Sequence, residues 1–123
     1  ALERSDDPLL LSGDAELLTI ALRNLLDNAL RYTPPETTIR VIAARQDGEM
    51  TLGVIDDGPG VPSAELPRLV ERFYRGSAAR AEGSGLGLAI AQRIAELHAA
   101  HFELENLPDG GFAARLRWPR PPR

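Results

Sequence analysis

The stretch AELLTIALRNLLDNALRY, residues 15–32, predicts the element on which the fold is built. Its apolar residues recur at the spacing of one helix face, at Leu18, Leu22, Leu25 and Ala29. Asp14 stands directly before this pattern as an N-cap, and Pro34-Pro35 ends it. We therefore expect an amphipathic helix over residues 15–32 with one face buried in a core.

A polar set lies on the same helix, largely apart from the apolar stripe. Asn24, Asn28 and Arg31 fall at i, i+4 and i+7 and so share a face. An ordinary solvated face is the default interpretation, although asparagine is a poor helix former. Alternatively, an amide oxygen can ligate a Mg²⁺ ion that already holds phosphates, and an arginine can pair with those phosphates. The helix alone leaves both interpretations open.

Hairpins and helices make up the rest of the chain. A short apolar run predicts a strand over residues 9–11. A hairpin signal at 46–49 joins predicted strands over 38–45 and 50–55, and alternating apolar and polar residues around the turn at 108–111 predict strands over 101–105 and 112–118. Further helices are expected over residues 63–70, capped by Ser63, and over 86–98. Hairpins mixed with helices favour an α+β two-layer sandwich over a doubly wound parallel sheet.

Composition narrows the class of protein. The 123 residues suit a single domain, 1–123, and 43% hydrophobic with 26% charged residues is typical of a soluble globular chain. There is no run of 18 apolar residues and no cysteine, so we expect no membrane contact and no disulfide or thiolate metal site. The net charge of -4 argues against nucleic-acid binding. The abrupt start at Ala1 and the tail at 119–123 suggest a fragment of a longer protein.

The basic residues are all arginine, which limits the kind of phosphate site. Lysine is absent among the 14 basic residues, so a Walker-type loop is excluded and any cationic phosphate contact must be a guanidinium. The run RGSAARAEGSGLGLAIAQ, residues 75–92, places glycines directly before a helix. A polar loop precedes it instead of a strand, so it is not a dinucleotide fingerprint. It is either a flexible loop or a set of backbone amides offered to a phosphate.

Two further features have modest interpretations when taken alone. DDGPGVP, residues 56–62, forms a tight turn, or it places Asp56 at a strand end as an acceptor for an exocyclic amino group such as that of adenine. His98 and His101 are expected to be packing or surface residues, since no metal-site spacing and no Ser-His-Asp set accompanies them.

Taken together in order, four motifs are more specific than any one of them. NLLDNALRYT (24–33), DDGPG (56–60), ERFYR (71–75) and GSGLGLAI (83–90) resemble the ATP-binding catalytic domain of bacterial sensor histidine kinases. This group is shared with gyrase, Hsp90 and MutL, and the resemblance covers residues 9–118, closest to the QseC and PmrB type. It implies a Bergerat-type ATP-binding fold: a mixed, mostly antiparallel sheet of about five strands, three helices on one face, and an ATP lid over about 72–85.

The resemblance also implies a role for each motif residue. Asn28 would ligate Mg²⁺ and Asn24 would support the phosphates, while Asp56 would accept from the adenine amino group. Contacts to the nucleotide would further come from Arg31, Tyr32, Gly58, Gly60, Phe73 and Arg75, the last reaching the terminal phosphates from the lid. Backbone amides of the glycine run would hold phosphate at Gly83, Gly85, Leu86, Gly87 and Leu88.

The implied function is histidine phosphorylation. The domain would bind Mg-ATP and donate its γ-phosphoryl group to a histidine on a separate dimerisation and phosphoacceptor domain, upstream of a response regulator. It would be the cytoplasmic part of an inner-membrane sensor kinase. A serine kinase or ATPase of the same fold, or a non-catalytic nucleotide-binding regulator, are the alternatives. Asn24 stands where hydrolysing relatives carry a glutamate base, and Ala99-Ala100 stand where the family often has two glycines.

Overall fold

The computed structural model describes residues 13–70 and 87–120. Helix α1 (Ala15–Tyr32) is followed by a hairpin of β1 (Ile39–Gln46) and β2 (Glu49–Asp56) and a 3₁₀ helix at Ser63–Arg68. Helix α2 (Gly87–Leu97) then leads into a second hairpin, β3 (His101–Asn106) and β4 (Phe112–Trp118). The strands form one sheet in the order β1-β2-β4-β3, with every described pair antiparallel.

The core lies on one side of this sheet, under the helices. Because side chains alternate along a strand, Val54 of β2 and its partner Ala114 of β4 point to the same face. That face packs with α1, α2 and Leu69 into a single apolar cluster. Leu25 and Leu116, the largest fully buried side chains, place the centre of the core between α1 and the sheet. The two-layer α+β prediction is confirmed.

Local chemistry sets the ends of α1 as predicted. The Asp14 side chain accepts a hydrogen bond from the Leu17 backbone N–H at 3.0 Å, so Asp14 is the N-cap. Thr33 leaves the helix in an extended conformation (φ -122°), which the following proline favours. The Thr33 hydroxyl donates to the Ala29 carbonyl at 2.7 Å, so the buried end of the helix keeps its polar groups paired.

The two long helices run in opposite directions, and His98 joins their ends. Its Nε2 accepts from the Asp14 backbone N–H at 3.0 Å, and its Nδ1 donates to the Ile94 carbonyl at 2.9 Å. The Trp118 indole N–H donates to the His98 carbonyl at 2.9 Å, which ties β4 to the same point. With both ring nitrogens engaged, His98 is a packing residue, as the sequence indicates.

Three sequence expectations about individual elements need correction or restriction. The helix expected over residues 63–70 is a 3₁₀ helix at Ser63–Arg68, since Pro67 removes a backbone donor within it. Its N-cap is Pro62 and not Ser63, with no side-chain cap bond. The described sheet is antiparallel throughout and has four strands: each hairpin pairs its own two strands, and β2 and β4 join the two hairpins in an antiparallel pair as well. The fifth predicted strand, residues 9–11, lies outside the described residues.

The outer face of the sheet carries alternating charges. Glu103 lies between Arg115 and Arg117 and accepts from both at 2.9 Å. Partial burial works to raise the pKa of Glu103, but the hydrogen bonds from the two guanidinium groups outweigh it and hold the pKa below its usual value. Arg115 also pairs with Glu105, and Arg117 with Glu49. These ion pairs connect β2, β3 and β4 on the face away from the helices.

No helix within residues 13–70 and 87–120 is long and apolar enough to cross a bilayer.

Helix α2 ends in a Schellman motif that contains a strained alanine. The Ala100 N–H bonds to the Ala95 carbonyl at 2.9 Å, and the Ala99 N–H bonds to Glu96 at 3.1 Å. Between them Ala99 has φ +56°, the left-handed conformation that glycine adopts without steric cost. The departure from a Gly-Gly pair noted in the sequence therefore falls on a position that favours glycine.

We predict that Ala99→Gly stabilises the domain by about 0.5–1 kcal/mol, because relief of the left-handed strain exceeds the added entropy of the unfolded chain. Thermal unfolding should show a Tm higher by roughly 2–4 °C. Ala100→Gly is the matched control: Ala100 has no positive φ and packs on the core, so glycine there should lower the Tm. Equal effects at the two positions would contradict the assignment of strain.

Candidate functional site

A cleft opens where β2 ends beside the start of β4. Asp56, the last residue of β2, pairs with Phe112, the first residue of β4, and the C-terminal half of α1 lies over them. The described residues that line it are Asn28, Thr33, Asp56, Gly60, Val61 and Phe112. Three of the predicted site residues, Asn28, Asp56 and Gly60, are thus brought together from distant parts of the chain.

Asp56 is the charged group of this cleft, and it is buried. Its side chain is only 5% exposed, and Oδ1 accepts from the Gly58 backbone N–H at 2.8 Å. Burial raises the pKa of Asp56 and the neighbouring charge of Asp57 raises it further, while backbone hydrogen bonds from Gly58 and Phe112 lower it only in part. A carboxylate desolvated in this way is a strong acceptor for a donor that enters the cleft.

The neighbouring Asp57 has a structural role outside the cleft. Its Oδ1 accepts from the Thr38 N–H at 2.9 Å, and its own N–H donates to the Thr38 carbonyl at 3.2 Å. Asp57 therefore ties the end of β2 to the residue before β1 and is exposed, whereas Asp56 points inward. The two adjacent aspartates, which are indistinguishable by residue type, therefore have different environments in the structure.

The glycines of this loop are required by contacts inside the protein. A Cβ on Gly58 would lie 2.9 Å from the Thr33 Cγ2, and a Cβ on Gly60 would lie 2.6 Å from the Asn106 Oδ1. Gly60 also has φ +76°. On the β4 side, Gly111 has φ +106° and its backbone lies against the Asp56 carbonyl, where no side chain fits. The loop backbone thus packs on side chains at Gly58 and Gly60, and backbone packs on backbone at Gly111.

Asn24 and the start of α2 form a second part of the site. Gly87 is the first residue of α2, and a Cβ there would lie 3.4 Å from the Asn24 Oδ1. Backbone N–H groups in the first turn of a helix have no partner within the helix, and the helix dipole is positive there. Leu88 buries its side chain in the core, so its backbone is what it offers to a ligand.

The remaining predicted residues divide into two groups. Arg31 is in the last turn of α1, three residues beyond Asn28, and is not among the described residues that line the cleft. The structure places the backbone of Tyr32 in α1, and its side chain lies outside the described part. The predicted lid, 72–85, also lies outside the described residues, together with Phe73, Arg75, Gly83, Gly85 and Leu86.

Sequence reasoning missed Thr33, Val61, Phe112 and Asn106. Asn106 holds both the N–H and the carbonyl of Val61 and so belongs to the surroundings of the cleft. A signal for it exists: in β3 the residues Phe102 and Leu104 face the core, and Asn106 follows as a polar residue at the next inward position.

The donor set of the cleft fits a nucleotide with its metal. The described residues contain no cluster of three His, Cys, Asp or Glu side chains that could hold a metal ion. Asn28 offers an amide oxygen, a ligand that Mg²⁺ accepts when phosphates and waters fill its other positions. Asp56 and its glycine-lined surroundings suit a flat base that carries an amino group.

Comparison with known proteins gives one family. The model of the "histidine kinase-, DNA gyrase B-, and HSP90-like ATPase" family matches residues 13–122. The sensor protein QseC of Escherichia coli K12 is 45% identical over 107 residues, which are 87% of this chain and 23% of QseC. The histidine-protein kinase AfsQ2 of Streptomyces coelicolor is 43% identical over 111 residues, 89% of this chain and 20% of AfsQ2.

Solved structures agree with this result. The mycobacterial sensor histidine kinase MprB superposes with a TM-score of 0.76 at 34% identity, covering 89% of this chain and 76% of that one. The chain spans only about a quarter or less of the length of the curated relatives named above.

The buried Asp56 should cost the free domain stability at neutral pH. Because its pKa is raised in the folded protein, the folded state favours the protonated carboxyl, and stability falls as pH rises from about 4 through the raised pKa. We predict that Asp56→Asn removes this loss. The difference in free energy of unfolding, variant minus wild type, should grow in the variant's favour between about pH 4 and pH 7.

Denaturant unfolding across that pH range measures this difference in free energy of unfolding. A change in hydrogen bonding that does not depend on pH shifts the difference equally at every pH and leaves its slope with pH unchanged. In Asp57→Asn, which removes the neighbouring negative charge, the loss of stability should shift to lower pH. A pH-independent difference between wild type and Asp56→Asn would show that the carboxyl titrates normally.

Proposed function

The chain belongs to the family of histidine kinase-, DNA gyrase B-, and HSP90-like ATPases and corresponds to the catalytic domain of sensor histidine kinases, and we propose that it presents the γ-phosphate of Mg-ATP to a histidine on a separate helical domain. The observation that carries the proposal is the buried Asp56 in a cleft that it shares with Asn28. One end of this site can recognise a base, and the other end can meet phosphates.

The base would bind between β2, β4 and α1. Asp56 would accept from the adenine amino group, a contact that guanine cannot make because it carries a carbonyl oxygen at that ring position. Gly58 and Gly60 would form the adjoining wall, and Tyr32 would pack near the ring. The cleft excludes water from the carboxylate on the protein side, which strengthens its hydrogen bond to the base.

The phosphates would lie between α1 and the start of α2. Asn24 and the backbone amides from Gly87 and Leu88 would hold phosphate oxygens, and the positive end of the helix would favour their charge. Arg31 would add a guanidinium from α1. From outside the described residues, Phe73, Arg75, Gly83, Gly85 and Leu86 would complete the site, with Arg75 at the terminal phosphates.

Asn28 would hold the metal ion. When bound, Mg²⁺ would neutralise charge on the phosphate oxygens that are to separate. Asn28 supplies one amide oxygen for this ion, and its position on the cleft side of α1 lets it do so beside the base site. Phosphoryl transfer needs mainly positioning and charge stabilisation, which is what amides, an arginine and backbone N–H groups provide.

The identity of Asn24 favours transfer over hydrolysis. Hydrolysis of ATP by water, or transfer to a serine hydroxyl, requires a general base to take the proton of the nucleophile. An amide side chain cannot act as a base, and Asn24 stands where hydrolysing relatives would carry a glutamate. An imidazole nitrogen is already nucleophilic, so its attack can form a phosphorus–nitrogen bond while the bond to the bridging oxygen of ADP breaks.

The acceptor histidine would lie in another domain. Both ring nitrogens of His98 are engaged, with the Asp14 N–H and the Ile94 carbonyl, so His98 has no free nitrogen to be phosphorylated. His101 begins an edge strand on the outer face of the sheet, away from the helices. Since this chain spans about a quarter or less of the length of the named relatives, the acceptor, a response regulator and an inner-membrane sensor portion are proposed for the whole protein.

Phosphotransfer to a separate acceptor tests this function. With labelled ATP and a separately made phosphoacceptor domain of a QseC-type kinase, label should appear on the acceptor in an acid-labile, base-stable form. Asp56→Asn should reduce transfer at limiting ATP by more than tenfold, since a buried charge-assisted hydrogen bond contributes about 1.5–3 kcal/mol.

The same assay separates the alternatives. Rapid release of phosphate without an acceptor would identify an ATPase, and base-labile label on serine would identify a serine kinase. Binding of ATP without transfer to any acceptor would identify a nucleotide-binding regulator. Each of these three results contradicts the histidine kinase proposal.

Removal of the proposed metal ligand, Asn28, should make the affinity for ATP largely independent of Mg²⁺. We predict that Asn28→Ala abolishes most of the Mg²⁺ dependence of ATP affinity, because the amide oxygen is the contact through which the protein senses the ion. Calorimetry with a non-hydrolysable ATP analogue, with and without Mg²⁺, measures this dependence. Asn24→Ala is the control and should weaken binding while the dependence remains. If Asn28→Ala keeps the wild-type dependence, the metal ligand lies elsewhere.

A further inference from the structure

Asn106 holds the wall of the cleft from the side opposite to α1. We define the wall loop as residues 57–61, which lead from the end of β2 to the 3₁₀ helix. The Asn106 Oδ1 accepts from the Val61 N–H at 2.9 Å, and its Nδ2 donates to the Val61 carbonyl at 2.7 Å. One side-chain amide thus pairs with both backbone groups of one residue, as a neighbouring strand would.

Among the described residues, the other hydrogen bonds of the wall loop all lie at its start. Asp57 is tied to Thr38, and the Gly58 N–H donates to the Asp56 carboxylate. Pro59 has no N–H to donate. The far end of the loop, Gly60 and Val61, is held by Asn106 across 45 residues of sequence.

Gly60 is shaped for this contact. It has φ +76°, and a Cβ would lie 2.6 Å from the Asn106 Oδ1 and 3.3 Å from the Gly111 carbonyl. A side chain at residue 60 would therefore push the loop off Asn106. The absence of a side chain allows the loop to lie against the end of β3 while Gly60 and Val61 line the cleft.

These contacts form a chain that ends at the carboxylate. Val61 and Gly60 fix the end of the wall loop, the loop fixes the Gly58 N–H, and that N–H orients Oδ1 of Asp56. The Phe112 backbone N–H also donates to the carboxylate, so the Gly58 N–H is one of two described backbone groups that orient it. A shift of the wall loop should therefore reach the orientation of the carboxylate.

We propose that Asn106 is a positioning residue for base recognition: by clamping Val61 it holds the wall loop in the position in which Asp56 distinguishes a base with an amino group from one without. This inference rests on the proposed function for the identity of the base. The clamp itself rests only on the two hydrogen bonds and on the fit of Gly60.

Amide hydrogen exchange tests the clamp without any nucleotide. In Asn106→Ala, exchange at Val61 should accelerate more than tenfold, and exchange at Gly58 should accelerate as well, since loss of the clamp frees the far end of the loop, which begins two residues after Gly58. Asn106→Asp keeps the acceptor for the Val61 N–H but places an oxygen against the Val61 carbonyl, so it should give an intermediate acceleration. Unchanged exchange at Gly58 in both variants would overturn the proposal.

Nucleotide discrimination tests the consequence. The affinities of ATP and of purine riboside triphosphate, which lacks the amino group, are measured by calorimetry for each variant. Asp56→Asn gives the ratio of the two affinities, ATP to purine riboside triphosphate, for a site whose acceptor is altered. In Asn106→Ala and Asn106→Asp the preference for ATP should fall about fivefold, toward that ratio, as expected for one hydrogen bond held out of position.

Leu104→Val is the matched control for stability. Leu104 lies two residues before Asn106 on the same strand and packs on the core, so the smaller side chain should lower the Tm but leave the preference for ATP at the wild-type value. If Leu104→Val lowers that preference as much as Asn106→Ala, Asn106 has only a structural role and the proposal is wrong.

The hydrogen-exchange and nucleotide-affinity experiments together distinguish failure of the positioning role from failure of the proposed function. Faster exchange at Gly58 with normal ATP preference would show that the wall loop moves without affecting Asp56, which overturns the positioning role. If the wild-type chain binds both triphosphates equally, the adenine role of Asp56 fails, and with it the assignment of Asn106 to base recognition, whatever the exchange data show.

Discussion

A carboxylate buried at the end of a central strand is the constraint on which the site depends. Ionised Asp56 is desolvated beside a second aspartate, and among the described residues the backbone N–H groups of Gly58 and Phe112 compensate for it in part. Three glycines make the close packing around this strand end possible, since a Cβ at each would collide with a neighbour: Gly58 lies against Thr33 and the Asp56 carboxylate, Gly60 against Asn106, and Gly111 against the Asp56 carbonyl.

The desolvated carboxylate lowers the stability of the free protein, and a ligand that donates a hydrogen bond to it can offset that loss of free energy. A hydrogen-bond donor that enters the cleft compensates the buried carboxylate, so the same group that weakens the apo domain strengthens binding. The wall loop is then as important as the carboxylate, because an acceptor that rotates freely discriminates poorly between donors. In the proposed arrangement Asn106, at the end of an edge strand, would hold the far end of the loop through its two hydrogen bonds to Val61.

Secondary structure was predictable where local chemistry decides it. The Asp14 cap, the Thr33-Pro34 end of α1 and the Asp47-Gly48 turn, whose residues both have positive φ, follow from residue type alone. Prediction was less accurate at two places: the residues around Pro67 form a 3₁₀ helix, and Ala99 adopts a left-handed conformation that its residue type disfavours. At Ala99 the two hydrogen bonds of the Schellman motif outweigh the preference of the residue type.

The sequence by itself determined the family and the order of the elements. It did so because motif spacing and helical period are properties of the chain, readable without coordinates. Only the tertiary structure decided which of two adjacent aspartates faces the cleft, and that Thr33, Phe112 and Asn106 belong around it. These assignments depend on contacts between residues far apart in sequence, and such contacts exist only once the sheet and helices have packed.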